Sequence, residues 1–294
     1  MTVTFNESGI ADPGLEFVRG VAAIDVITLR RAAEGAAALG FDMAVPSQVD
    51  VTVPELFDQL AVVEVTPLPT VTVTIDTGKM SWGADKADVV RDAFTDYTGD
   101  RRYGVTIKGR GILGVFELDG LTLAMVDVQL AADRETDPEG RHVTMWFAEV
   151  PMARLNTLGY YGLYALAESL ACGVMAGGSE LLRCNTVTIP AQQVAWERRM
   201  DELLAVNPLL EDAQQRAYMA LDETGVRVKV VTAMRLAAAL PPGPISWVFG
   251  QHHPVVSWLT EPGASVPFAV IATTADAWLD PDASVSFDDR AFGG

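Results

Sequence analysis

Along this chain the spacing of apolar positions switches repeatedly between a period of two and one of about 3.6 residues. Residues 70–76, TVTVTID, alternate strictly and are rich in β-branched side chains, which predicts a half-buried strand. Asp76-Thr77-Gly78 predicts a turn from it into Lys79–Trp82. Shorter runs over 103–108, 112–118, 121–130 and 142–150 predict a meander. Glycines 109, 111 and 120 and the Asp137-Pro138-Glu139-Gly140 stretch mark its turns. Helical spacing appears over 15–39, bounded by Pro13-Gly14 and Gly40, and over 54–62 with Pro54 in the first turn. It recurs over 85–97, where Ala87, Val90, Ala93, Phe94 and Tyr97 form one stripe, and over 152–175, which Gly177-Gly178 ends. Residues 193–205 and 211–217 also read as helical, interrupted at Asn207-Pro208.

TVTIP (186–190) reads as a strand closed by proline, and 217–234 as one extended strand. LPPGP (240–244) is a stiff connector, and further strands are expected in 245–259, 265–273 and 277–279. The mixture predicts an α+β protein of mostly antiparallel sheets with flanking helices. Three regions are expected: a helical and hairpin region over 1–100, a sheet-rich core over 101–280, and an acidic flexible tail over 281–294.

Composition narrows the function. The 294 residues are 49% hydrophobic, enough for a sizeable core. A net charge of -18 argues against a general phosphate-binding surface, so nucleic acid is not an expected partner. The densest basic cluster, Arg101, Arg102, Lys108 and Arg110, reads as a solvated hairpin. The most apolar stretch, Tyr160 to Gly178, is broken by Glu168 and glycines, so no membrane span is expected. The first residues carry neither a basic region nor an apolar core, which points to the cytoplasm. Cys172 and Cys184 are then expected as small buried thiols rather than as a disulfide.

No motif declares catalysis. Gly109-Arg110-Gly111-Ile112-Leu113-Gly114 spells a dinucleotide-binding pattern, but a strand hairpin and not a helix follows it, so it reads as two turns. Of the three histidines, His252 and His253 are adjacent and would point to opposite faces of a strand, and His142 lies apart. The six tryptophans are evenly spread and read as packing. Neither an enzyme activity nor a cofactor is expected, and the partner is expected to be another protein.

TVTIP (186–190), ERRMDELLA (197–205) and AYMALDETGVRVKVVTAM (217–234) are followed by the Pro241-Pro242 pair and by Phe249 to Pro254, and this ordered series resembles the serpin family. Upstream, FELDGLTLAMVDVQL (116–130) is similar to a family hairpin. The resemblance implies a reduced serpin-like fold and an exposed loop over 226–248. Glu223, Gly225, Val226, Val228, Val230 and Thr232 would be the loop hinge, and Met234, Arg235, Ala239 and Leu240 the region a protease cuts. Where the family has small alanines, this chain has branched residues, which implies a non-inhibitory protein or a divergent protease inhibitor. Read from the residues alone, Val226, Val228, Val230 and Thr232 share one strand face and Arg227 and Lys229 the other, the pattern of a permanently paired edge strand. The alternative function is an oligomeric clamp or assembly protein without catalysis, a homo-oligomer distinguishable by its size in solution.

Overall fold

The computed structural model describes residues 10–41, 43–66, 70–130, 141–182, 184–231 and 245–288. It is a sheet-dominated α+β fold. The first elements are β1 (Val21–Ile24), α1 (Val26–Ala38), α2 (Glu55–Leu60), β2 (Val62–Val65) and β3 (Val71–Trp82). Then come β4 (Val89–Thr95), β5 (Arg101–Lys108), β6 (Ile112–Leu118), β7 (Leu121–Gln129) and β8 (His142–Glu149). Helices α3 (Met152–Leu155) and α4 (Tyr160–Met175) separate these from β9 (Glu180–Leu182), β10 (Cys184–Pro190) and β11 (Gln192–Arg199). The chain continues through α5 (Asp201–Val206), β12 (Gln214–Asp222), β13 (Gly225–Val231), β14 (Ile245–Val248), β15 (Val255–Thr260) and β16 (Phe268–Thr273).

A twelve-stranded sheet has the path β1-β16-β15-β8-β7-β3-β13-β12-β11, and a four-stranded sheet the order β14-β10-β5-β4. In the larger sheet β7 and β3 meet only through Ser81–Gln129 and Trp82–Val128, so it bends there into two arms. The arms face each other: Ser257 of β15 touches the Met219 sulfur of β12 at 3.9 Å. Strands β15 and β16 are therefore buried throughout. Trp146 and Trp258 stack at 5.7 Å between centroids and 6° between planes. Among the described residues one hydrophobic core takes in side chains from Val21 to Trp278. No helix among the described residues is long and apolar enough to cross a membrane.

Several expected helices are strands. The run 15–39 is split by Asp25, whose extended backbone starts α1 and whose buried carboxylate accepts from the Thr28 amide at 3.1 Å. Residues before it pair with β16 instead. The expected helix 85–97 is β4, because the Asp96 carboxylate accepts from the Thr98 and Asp100 amides (2.8 and 3.1 Å) and folds 96–100 into a tight hairpin turn. Residues 192–199 alternate inward and outward as β11, and 211–217 runs into β12 rather than forming a helix. The 217–234 stretch is not one strand but a β12–β13 hairpin turning at Glu223-Thr224. Residues 277–279 are not a strand either; a 3-10 turn occupies Ala275–Ala277.

Asp76-Thr77-Gly78 does not reverse the chain, since β3 runs on through it as a bulge. Gly109–Gly111 is a single turn between two sheets. Arg102 is not a free cation, being paired with Asp96, Asp100 and Asp280 (2.8, 3.6 and 3.2 Å). Both cysteines are free thiols; Cys184 is buried as expected, but Cys172 is exposed on α4. Asp137-Pro138-Glu139-Gly140 and the LPPGP connector lie outside the described residues.

Candidate functional site

The hairpin turn that opens β13 is built by its own polar side chains. The Asp222 carboxylate accepts from the Thr224 amide and hydroxyl, both at 2.6 Å, which fixes the Asx-type turn. The Asp222 carbonyl accepts from the Trp82 indole at 2.8 Å, and the Lys79 ammonium donates to the Thr224 hydroxyl at 2.6 Å. The turn is thus held by β3 as well as by its own strands. Gly225 follows with φ +147, and a Cβ there would lie 2.2 Å from the Met80 carbonyl oxygen. Only glycine fits so close to the neighbouring backbone.

From Gly225 the chain enters the middle of the sheet. β13 pairs antiparallel with β12 on one side (Val226 with Leu221, Val228 with Met219) and with β3 on the other (Val226 with Met80, Val230 with Ile75). Val226 and Val228 are buried in the core. The bulge in β3 sets Thr77 and Gly78 opposite Val228. There the Thr77 hydroxyl accepts from the Val228 amide at 3.1 Å and donates to its carbonyl at 2.9 Å, so a side chain completes the ladder where the backbone register slips. Asp76, just before the bulge, accepts from the Arg227 guanidinium at 3.1 and 2.5 Å. Arg227 is itself buried, so this bidentate pair supplies the counter-charge that a buried cation requires.

Downstream, residues 232–244 lie between β13 and β14 and outside the described residues. β14 pairs parallel with β10 in the four-stranded sheet, so the segment joins the two sheets. Of the residues singled out in the sequence, Glu223 is in the turn, and Gly225, Val226, Val228 and Val230 are in β13. Thr232, Met234, Arg235, Ala239 and Leu240 fall outside the described residues. Residues 226–231 are therefore a central strand, neither part of an exposed loop nor an edge. Sequence reasoning missed Asp76, Thr77 and Lys79 as members of this site. Their signal was present, since an Asp-Thr-Gly inside an otherwise alternating strand marks a bulge as well as a turn.

No protein-family model matches the sequence, and no curated protein matches it. Solved structures that match are serpins. Cleaved Serpin 42Da has a TM-score of 0.45 at 12% identity, covering 69% of this chain and 56% of that one. A loop-inserted structure of a cleaved ovalbumin mutant has 0.42 at 10%, covering 82% and 61%. The thermophilic serpin tengpin in its latent state has 0.38 at 10%, covering 72% and 58%. The chain spans less than two thirds of the length of each.

Proposed function

We propose that this protein is a non-catalytic, protein-binding molecule that presents residues 232–244 to its partner, and that it binds without inhibiting a protease by strand insertion. The observation that carries this reading is the occupancy of the sheet: in the uncut chain β13 already fills the position between β3 and β12. A strand freed by cleavage gains stability only if a position in a sheet awaits it. Here Gly225, the Arg227–Asp76 pair and the Thr77 bulge fix the occupant. The segment itself, TAMRLAAALPPGP, has both ends anchored in strands and carries prolines that lower the entropy cost of binding.

Two measurements test this. Dilute protease is expected to nick 232–244, and the nicked protein should melt at or below the temperature of the intact one, with no detergent-stable complex formed with the protease. A photoreactive residue at Arg235 or Leu240 should yield a discrete protein adduct in cell extract. A rise in melting temperature on nicking, or a stable protease complex, would restore the inserting mechanism. Absence of any adduct at both positions would remove the binding role.

A further inference from the structure

One row of side chains crosses four adjacent strands. In register, Gln193 of β11 faces Ala220 of β12, Ala220 faces Arg227 of β13, and Arg227 faces Lys79 of β3. Cross-strand partners project from the same face of a sheet, so the four lie in line across β13. The C-terminal segment contacts this row at three of its four members. The Ser286 amide donates to the Gln193 side-chain oxygen at 3.0 Å. The Phe287 carbonyl accepts from the Arg227 guanidinium at 2.6 Å. The Lys79 ammonium lies 4.0 Å from the centre of the Phe287 ring. The fourth member, Ala220, is fully buried and too short to lift the segment away from the sheet.

The same segment is anchored before it reaches the row. Arg102 of β5 reaches the Asp280 carboxylate, and Arg91 of β4 donates to the Pro281 and Ala283 carbonyls (2.5 and 2.6 Å). Val285 packs against the core. The path therefore starts on the four-stranded sheet and ends across β13. The contacts are made by side chains from β11, β13 and β3 to a segment that belongs to none of them.

We infer that residues 280–288 are a strap that holds β13 in the sheet, so that loosening the strap releases β13. The row explains why an arginine occupies the middle of a central strand: Arg227 is the post to which both β3 and the strap are tied. A ligand or protease acting on the strap would thereby change how much chain is available to a partner, a consequence that rests on the binding role proposed for 232–244.

The test is amide hydrogen exchange on the full chain and two variants. Deletion of residues 286–294 removes Ser286 and Phe287 and leaves Val285 in place. Exchange along 225–231 should quicken about 10- to 100-fold, the scale of one lost hydrogen bond to a charged group. Exchange along 268–273, on the other arm, should be unchanged. Phe287→Ala keeps the carbonyl and removes only the ring over Lys79, so it should quicken 225–231 selectively but only a few-fold, on the order of the weaker cation–π contact. Unchanged exchange along 225–231 in both variants would overturn the strap, as would an equal rise in both segments. If the deleted chain fails to fold, Phe287→Ala decides alone, and no selective rise rejects the inference. Cross-linking at 232–244 is read separately, so loss of the partner adduct with an intact exchange pattern speaks against the binding role and not against the strap.

Discussion

Val228→Glu tests where β13 resides. Val228 is 1% exposed and sits opposite Met219, on the face turned toward the other arm of the sheet. Losing a buried valine side chain costs about 1.5–3 kcal/mol. Its neighbours in register on that face, Met219 and Val194, offer no cation, so the carboxyl would be buried neutral. Because glutamate ordinarily titrates near ~4.3, keeping it protonated at pH 7 costs up to about 3.7 kcal/mol more. The sum, about 5 kcal/mol or more, approaches the whole stability of an ordinary domain. The two parts separate by pH. Burial raises the acid's folded-state pKa above its unfolded value. The electrostatic penalty is therefore absent below ~4.3 and grows by about 1.4 kcal/mol per pH unit above it, up to the folded value. Val228→Gln carries the shape change without the titration. Urea unfolding followed by tryptophan fluorescence at pH 5 and pH 7 should show Glu and Gln variants close together at the lower pH and well apart at the higher. If Val228→Glu stays within about 0.5 kcal/mol of the parent at both, as a solvent-exposed site would, β13 is not in the sheet.

Glycine substitutions give a paired comparison. Gly225→Ala, which drives a Cβ into the Met80 carbonyl, should cost about 3 kcal/mol or more, whereas Gly109→Ala, also at positive φ but facing open space, should cost about 1 kcal/mol. Equal costs in urea unfolding would deny the close fit of β13 against β3. At the β4–β5 turn, burial alone would raise the Asp96 pKa, but hydrogen bonds from Arg102 and Thr98 outweigh it and hold the carboxyl below its ordinary range. A lowered folded-state pKa contributes stability above the unfolded value, about 3.9, and that contribution is lost as pH falls through the folded one. Asp96→Asn, which leaves Arg102 with a lost partner, should thus cost about 3 kcal/mol from pH 7 down to about 5, and the gap to the parent should close on further acidification. A gap that stays constant down to the acid transition would contradict this account.

The strands at 103–108, 112–118 and 121–130 were legible in the sequence because each has alternating or continuous apolar residues and a glycine turn at 109–111 or 120 beside it. The segment 85–97 was misread for a physical reason: its apolar spacing satisfies a helix, while the decisive group is Asp96, a turn-maker placed after the stripe. In 192–199, Gln192, Val194 and Trp196 point inward, and the inward glutamine hid the period of two. The site was half legible. Glu223-Thr224-Gly225 stood out as special, and the valines of β13 announced a strand. The pairing of that strand with β3 was harder to read, because it rests on the fit of Gly225 against Met80, of Arg227 with Asp76 and of Val228 with Thr77, contacts between distant parts of the chain.

The bulge contact between Thr77 and Val228 joins residues 151 positions apart. On a ribosome adding roughly 5–20 residues per second, β3 is complete roughly 8–30 s before β13 emerges to cover its edge. Over that interval β3 exposes a row of unpaired amides and carbonyls next to Val73 and Ile75, which the finished molecule buries. The nascent chain therefore passes through a stage in which its own central strand is an uncovered edge. Chaperone dependence during synthesis should follow the time taken to reach Gly225, so slow codons placed between β3 and β12 should lower the soluble yield of an unaltered protein.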